Sequence, residues 1–388
     1  MSKTARFGPL AARLGECPEL DVDALIDDPG THVIVCTGSG GVGKTTTSAA
    51  LALRAAERGR HVVVLTIDPA RRLAQSMGIE KLDNVPRPVP GVDGAQGGSL
   101  DAMMLDMKRT FDEVVESQAN PDKAAAILGN PFYVTLSSSF AGTQEYMAME
   151  KLGQLRQDAR KTGRWDLIIV DTPPARSALD FLDAPERLSG FLDGRFIRLL
   201  LAPAKGPARL MTAGFGAVTN TMAKIVGAQV LKDLQMFVAA FDTLFGGFRN
   251  RAQQTYQLLQ TKETAFLVVA APEADALREA AYFVERLDAD DMPLAGLVVN
   301  RATSALDGLS AEQALAAAER LQSGRDAATT AGLLRLHADR MRRVARESKM
   351  RERFQAAHPH VPTVVVPALS TDVHDLDGLR TVGDLLAG

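Results

Sequence analysis

Apolar residues fall along this chain in short unbroken runs, each followed by a longer stretch with helical spacing. HVIVCT (His32–Thr37) and HVVVLT (His61–Thr66) carry no polar interruption, which predicts strands buried on both faces. LDAMMLD, DLIIVD, TAFLVVAAPE, MPLAGLVVN and PTVVVPAL read as further strands. Between them the pattern predicts a helix from about Lys44 to Arg58, a helical stretch over about 108–161 and a helical block over about 176–260. AEQALAAAERL (Ala311–Leu321) is an alanine-rich helix. Asp-Pro opens DPARRLAQSMG as a helix start, and NVPRPVPGVDGAQGGS (Asn84–Ser99) is a Pro/Gly loop. Apolar strands alternating with helices predict an α/β fold, a doubly wound, mostly parallel sheet covered on both faces. The segments 108–161 and 176–260 become helical insertions on one domain, 32–388, preceded by a mixed N-terminal arm, 1–31.

Composition narrows the function classes. The chain has 388 residues, 46% of them hydrophobic and 23% charged, enough for a large core. Its formal net charge of −3 offers no basic field for nucleic acid or an anionic membrane. Two cysteines, Cys17 and Cys36, are too few for a disulfide framework or a four-thiolate zinc site. His337, His358, His360 and His374 lack metal spacing. The N-terminus has no apolar signal core. No uncharged apolar run reaches the length of a membrane span, and the nearest, Leu210–Ala223, is too short and too rich in Gly and Thr. These features predict a cytoplasmic protein with no stable membrane insertion.

The chemistry concentrates after the first strand. Gly38-Ser39-Gly40-Gly41-Val42-Gly43-Lys44-Thr45 satisfies G-x-x-x-x-G-K-[ST] at every fixed position. Glycines let backbone amides turn inward as an anion nest, and the helix beginning near Lys44 adds its positive end. Lys44 is placed for the outer phosphates, Thr45 for Mg²⁺ and Thr46 for an inner phosphate. Gly38, Gly40 and Gly43 also fit the G-x-G-x-x-G of a dinucleotide fold, with Asp68 as its acid, so an NAD-dependent dehydrogenase stands as a rival. The Lys-Thr pair has no task in that rival.

Two aspartates close strands. Asp171 ends DLIIVD at the sheet's carboxyl edge, where it can hold the hydration shell of Mg²⁺; it also reads as a helix N-cap. Asp68 follows the second strand and can polarise an attacking water; with Pro69 behind it, it too reads as an N-cap.

Taken in order, GSGGVGKTT, TIDPARRL, IIVDTPP, VVAAPEADALREA and LVVNR resemble the motifs of the ArsA/GET3 family of ATPases, which carry a deviant phosphate loop. AGTQEYMAMEKL is loosely similar to a further family motif. The resemblance runs from about Val33 to the C-terminus. It implies a P-loop ATPase that binds ATP and Mg²⁺ between the subunits of a face-to-face dimer, with Asn300 and Pro367 near the adenine. An Asn side chain offers both a donor and an acceptor to an adenine edge, although Asn300 also reads as a strand-end cap. Asn300-Arg301-Ala302-Thr303 lacks the guanine-reading pattern of related GTPases, favouring ATP.

The chain departs from the family at three points. Where the family has an extra loop lysine that reaches the partner's phosphates, this chain has Ser39. The metalloid-binding cysteines and the dimer-stapling CxxC have no counterpart. Ser39 suggests a heterodimer with a paralogue that keeps the lysine, or a homodimer with slow turnover. Phe191, Phe196, Met211, Phe215, Met222, Met236, Phe237, Phe241, Phe245 and Phe248 form either ordinary helical core or a groove for a hydrophobic client. The readings to separate are a Mg²⁺-dependent ATPase switch, an ATP-binding regulatory subunit, a hydrophobic-client chaperone and a dehydrogenase.

Overall fold

The computed structural model describes residues 18–68, 70, 72–131, 133–134, 137, 143–173, 247, 250–321 and 325–388. Cys17, Pro69, Arg71 and nearly all of the helical block at 176–260, with its Phe and Met residues, lie outside the described residues.

The apolar runs become strands. β1 (Val33–Gly38) is buried at every position, β2 (His61–Thr66) at all but its first, and β5 (Leu167–Asp171) throughout. With β3 (Arg87–Pro88), β4 (Ser99–Met104), β6 (Thr264–Ala270), β7 (Leu294–Ala302) and β8 (Thr363–Pro367) they form one sheet in the order β3-β4-β2-β5-β1-β6-β7-β8. All pairings are parallel except β3 with β4. Burial on both faces of a parallel sheet is why the strands read as continuous rather than alternating apolar runs.

Successive residues still point to opposite faces, which divides the core in two. On one side Val33, Val35, Leu65, Ile168 and Val170 pack with Phe111, Tyr146, Met147 and Phe283. On the other Ile34, Cys36, Val64 and Ile169 meet the alanines of α2 (Lys44–Glu57) and Leu379, Val382 and Leu386 of the C-terminal helix Leu376–Ala387. Alanine on α2 lets that helix lie close against the central strands.

The helical expectation over 108–161 is met among the described residues by helices Met107–Gln118, Pro121–Leu128 and Thr143–Thr162. Residues 18–31 of the N-terminal arm carry a short helix, α1 (Val22–Asp27), whose Val22 and Ile26 are buried in the second core. Arg60 fastens this segment, donating to the Ile26, Asp28 and Thr31 carbonyls and to Asp166. Near the C-terminus, helices Ala311–Arg320 and Arg325–Ala357 pack as a hairpin. None of the described helices is long and apolar enough to cross a membrane.

The topology places the site. From β1 the chain crosses through α2 to β2 on one flank; from β5 it returns to β6 on the other. The carboxyl ends of β1 and β5 therefore lie where the winding reverses, the position at which open α/β sheets bind ligands.

Candidate functional site

Residues 38–43 connect β1 to α2 in a conformation that two glycines make possible. Gly38 has φ 148°, and a Cβ there would lie 2.0 Å from the Val269 carbonyl of β6. Gly43 has φ 96°, and a Cβ would meet the Asn300 amide at 2.2 Å. Gly43 is the N-cap of α2 and offers no side-chain hydrogen bond, so the first amides of the helix are left for an anion.

Lys44 is buried, and its Nζ donates to the Gly38 carbonyl at 3.0 Å and the Ser39 carbonyl at 2.8 Å. Burial lowers its pKa, opposed by the carboxylates of Asp171 and Asp68. Thr45 Oγ1 donates to Asp171 Oδ2 at 2.8 Å, and Thr66 Oγ1 donates to the same oxygen at 2.8 Å. Strand register explains the meeting: Asp171 pairs with Cys36 on one side and with Thr66 on the other, just beneath the loop.

Asp171 is fully buried, and burial pushes its carboxyl up to about 6 against the Thr66 and Thr45 hydrogen bonds and the charge of Lys44. Its Oδ1 has no hydrogen-bond partner, and neither do the buried Thr37 Oγ1 and Ser39 Oγ. Buried oxygens without partners are costly unless a further group satisfies them. A hydroxyl and a carboxylate with a free oxygen are hard donors suited to Mg²⁺, which is bound by one or two carboxylates together with substrate phosphates. Among the described residues no cluster of three His, Cys, Asp or Glu side chains stands as a metal site of its own.

Asp68 is half-buried. Its Oδ1 accepts from the Ala70 amide at 3.0 Å, while its own amide approaches Thr66 Oγ1 at 3.2 Å. This is a local turn four residues before the next helix, Arg72–Ser76, so Asp68 is not that helix's N-cap. Thr46 is half-buried on the first turn of α2.

Asn300 is buried; its Nδ2 donates to the Val42 carbonyl at 2.9 Å and its Oδ1 accepts from the Arg301 amide. One N–H and one lone pair remain for an adenine edge. Pro367 ends β8 opposite Ala302. The loop residues Ser39–Val42, the turn after β6 with the start of the helix Ala274–Ala289, and residues 301, 303 and 368 border a cleft of about 410 Å³, closed on one side by Arg343 and Glu347 of the long helix Arg325–Ala357. Glu347 holds that helix in place by accepting from the Thr303 amide at 2.7 Å and hydroxyl at 2.8 Å.

The structure thus brings Gly38–Thr45, Asp171, Asn300 and the Asp68 turn to one sheet edge. Sequence reading missed Thr66, whose only signal was a hydroxyl at a strand end, and Arg301, which donates to the Gly41 carbonyl at 2.9 Å.

An anion-ready loop at the reversal of a parallel sheet, with a buried lysine and a strand-end aspartate beneath it, defines a nucleotide-binding protein of the P-loop class. A family model described as anion-transporting ATPase matches residues 31–323. The chain belongs to that family and is an ATPase of it. It is 27% identical to the ATPase get3 of Schizosaccharomyces pombe over 286 residues, covering 72% of this chain and 76% of that protein. It is 26% identical to an ATPase ASNA1 homolog of Cryptosporidium parvum over 270 residues, 70% of this chain and 65% of that protein. Over a shorter stretch of 159 residues it is 31% identical to the arsenical pump-driving ATPase of Acidiphilium multivorum, 40% of this chain and 26% of that protein.

Proposed function

We propose that the chain is a Mg²⁺-dependent dimeric ATP switch that works as one half of a heterodimer with a paralogue and handles a cargo or hydrophobic client. The observation that supports it most is the convergence of Thr45 and Thr66 on a buried Asp171 that keeps one oxygen free and feels the charge of Lys44. In this reading the amides of 40–46 and the Lys44 ammonium hold the phosphates. On binding, Lys44 exchanges two loop carbonyls for phosphoryl oxygens. Thr45 and Asp171 would hold the Mg²⁺ shell, and the ion would supply charge neutralisation for the phosphates. Asp68, half-exposed and tethered through one oxygen, orients the attacking water with the other. Asn300 and Pro367 border the adenine. Helical insertions at 108–161 and 176–260 carry the response to the client.

The partner subunit enters through position 39. A buried serine hydroxyl supplies no cation for the charge that develops on the transferred phosphoryl group. A paralogue with a lysine there completes this site. The same observation favours the second reading, a regulatory subunit that binds ATP with little turnover of its own.

Steady-state hydrolysis across protein concentration, with Mg²⁺ and beside a direct ATP-binding measurement, separates these readings. Binding with background turnover that rises in Ser39→Lys supports the paired system. Turnover per chain that grows with concentration in the wild type, and is unchanged in Ser39→Lys, overturns the need for a paralogue. Absence of ATP binding overturns the whole proposal.

A further inference from the structure

Two consecutive residues of β7 bond the phosphate loop, which a regular strand does not allow. Successive strand side chains point to opposite faces. Yet Asn300 donates to the Val42 carbonyl and Arg301 donates to the Gly41 carbonyl, each at 2.9 Å. The backbone explains how. Arg301 has φ 60°, and the β7–β8 register shifts between Val299 and Ala302. Among the described residues one other non-glycine residue has positive φ, Asp291 in the turn before β7, and aspartate tolerates that region well. Arginine does not, and a residue held in the left-handed region inside a strand is a strain the surrounding structure must over-determine.

We infer that Arg301 is a positioning residue for the nucleotide reaction: with Asn300 it sets the peptide planes of the phosphate loop. The inference rests on the reading of this loop as the ATP phosphate site. In a planar trans peptide the C=O and the next N–H point in opposite directions. Holding the Gly41 and Val42 carbonyls from outside the loop therefore turns the amides of Val42 and Gly43 to its inner side, toward the phosphates. Arg301 also covers the loop closely, since its Nε lies 4.0 Å from where a Cβ at Gly43 would sit. The guanidinium is exposed and its loop partner is a neutral carbonyl, so the contact contributes little to folding while the strain is borne in full. Replacing it separates stability from affinity.

The test uses the full-length chain and its Arg301→Gly, Arg301→Asn and Arg301→Lys variants. Gly and Asn both accept the left-handed backbone; neither reaches Gly41 with a guanidinium. ATP affinity is measured by titration calorimetry, and Tm by circular dichroism. The expected result is an affinity at least about tenfold weaker in Arg301→Gly and Arg301→Asn, with Tm unchanged or raised, and partial recovery in Arg301→Lys. Wild-type affinity in the Gly and Asn variants overturns the inference and leaves the ATP site standing. Loss of affinity accompanied by a lowered Tm in both overturns it as well, because Arg301 is then only a structural corner. A wild-type chain that binds no ATP removes the site reading and the inference with it.

Discussion

At Gly43 a Cβ would push the Asn300 amide off its bond to Val42, and φ 96° adds backbone strain. Gly43→Ala is expected to destabilise the fold by about 1–3 kcal/mol and to abolish detectable ATP binding, read by urea unfolding and calorimetry. Seven residues earlier, Cys36 is fully buried and its thiol is pushed up to about 12. Peptide-resolved alkylation at pH 8 should leave Cys36 unlabelled in the native chain and label it on unfolding. The linkage has one sign. A raised folded pKa preserves stability below the unfolded thiol's pKa, and that stability is lost as pH climbs toward 12. Lys44, Thr45 and Asp171 were legible in the sequence because the motif is local and the aspartate closes an apolar run. Thr66 and Arg301 were not: they join the site across 105 and 260 residues, through strand register and a left-handed turn that no local pattern encodes.

Elements were legible to the extent that their burial was uniform. The seven parallel strands announced themselves as apolar runs. The two-residue β3 and the six-residue, acid-rich α1 did not, since neither is long enough to show a period. What holds α1 is burial of Val22 and Ile26, the Asp21 cap and ion pairs from Arg54 and Arg58, with Arg60 fastening its C-terminal end and the turn after it. Arg60→Ala removes the partner of carbonyls at Ile26, Asp28 and Thr31, and a loss of about 2–4 kcal/mol is expected in urea unfolding. The helix Thr143–Thr162 offers a pH-dependent case. Glu150 is 3% exposed at its side chain and pairs with Arg251 at 2.8 Å. Burial raises the Glu150 carboxyl above its ordinary value, opposed by Arg251. Arg251→Leu deepens that shift. Its stability should match the wild type most closely at low pH, where Glu150 is protonated in both folded and unfolded states. It should fall further behind as pH rises, reaching a deficit of about 3 kcal/mol by pH 8. Unfolding at pH 5 and pH 8 checks the sign.

For the molecule as a whole, the α/β class followed from the alternation of elements, whereas the order β3-β4-β2-β5-β1-β6-β7-β8 did not. Nothing local says that β1 lies between two strands, β5 and β6, that both come long after it. This ordering has a temporal side. The Asn300 amide that braces Val42 lies 258 residues downstream. At a synthesis rate of about 5–20 residues per second, roughly 13–50 s pass between the making of the loop and the making of its brace. Through that interval a nascent chain displays the full phosphate motif without the strand that holds its peptides in place. A chain arrested at residue 290 should therefore carry Lys44 and Asp171 yet retain no ATP on a filter. On the ribosome, the proposed nucleotide site is thus written first and is expected to become competent only after Asn300 has emerged.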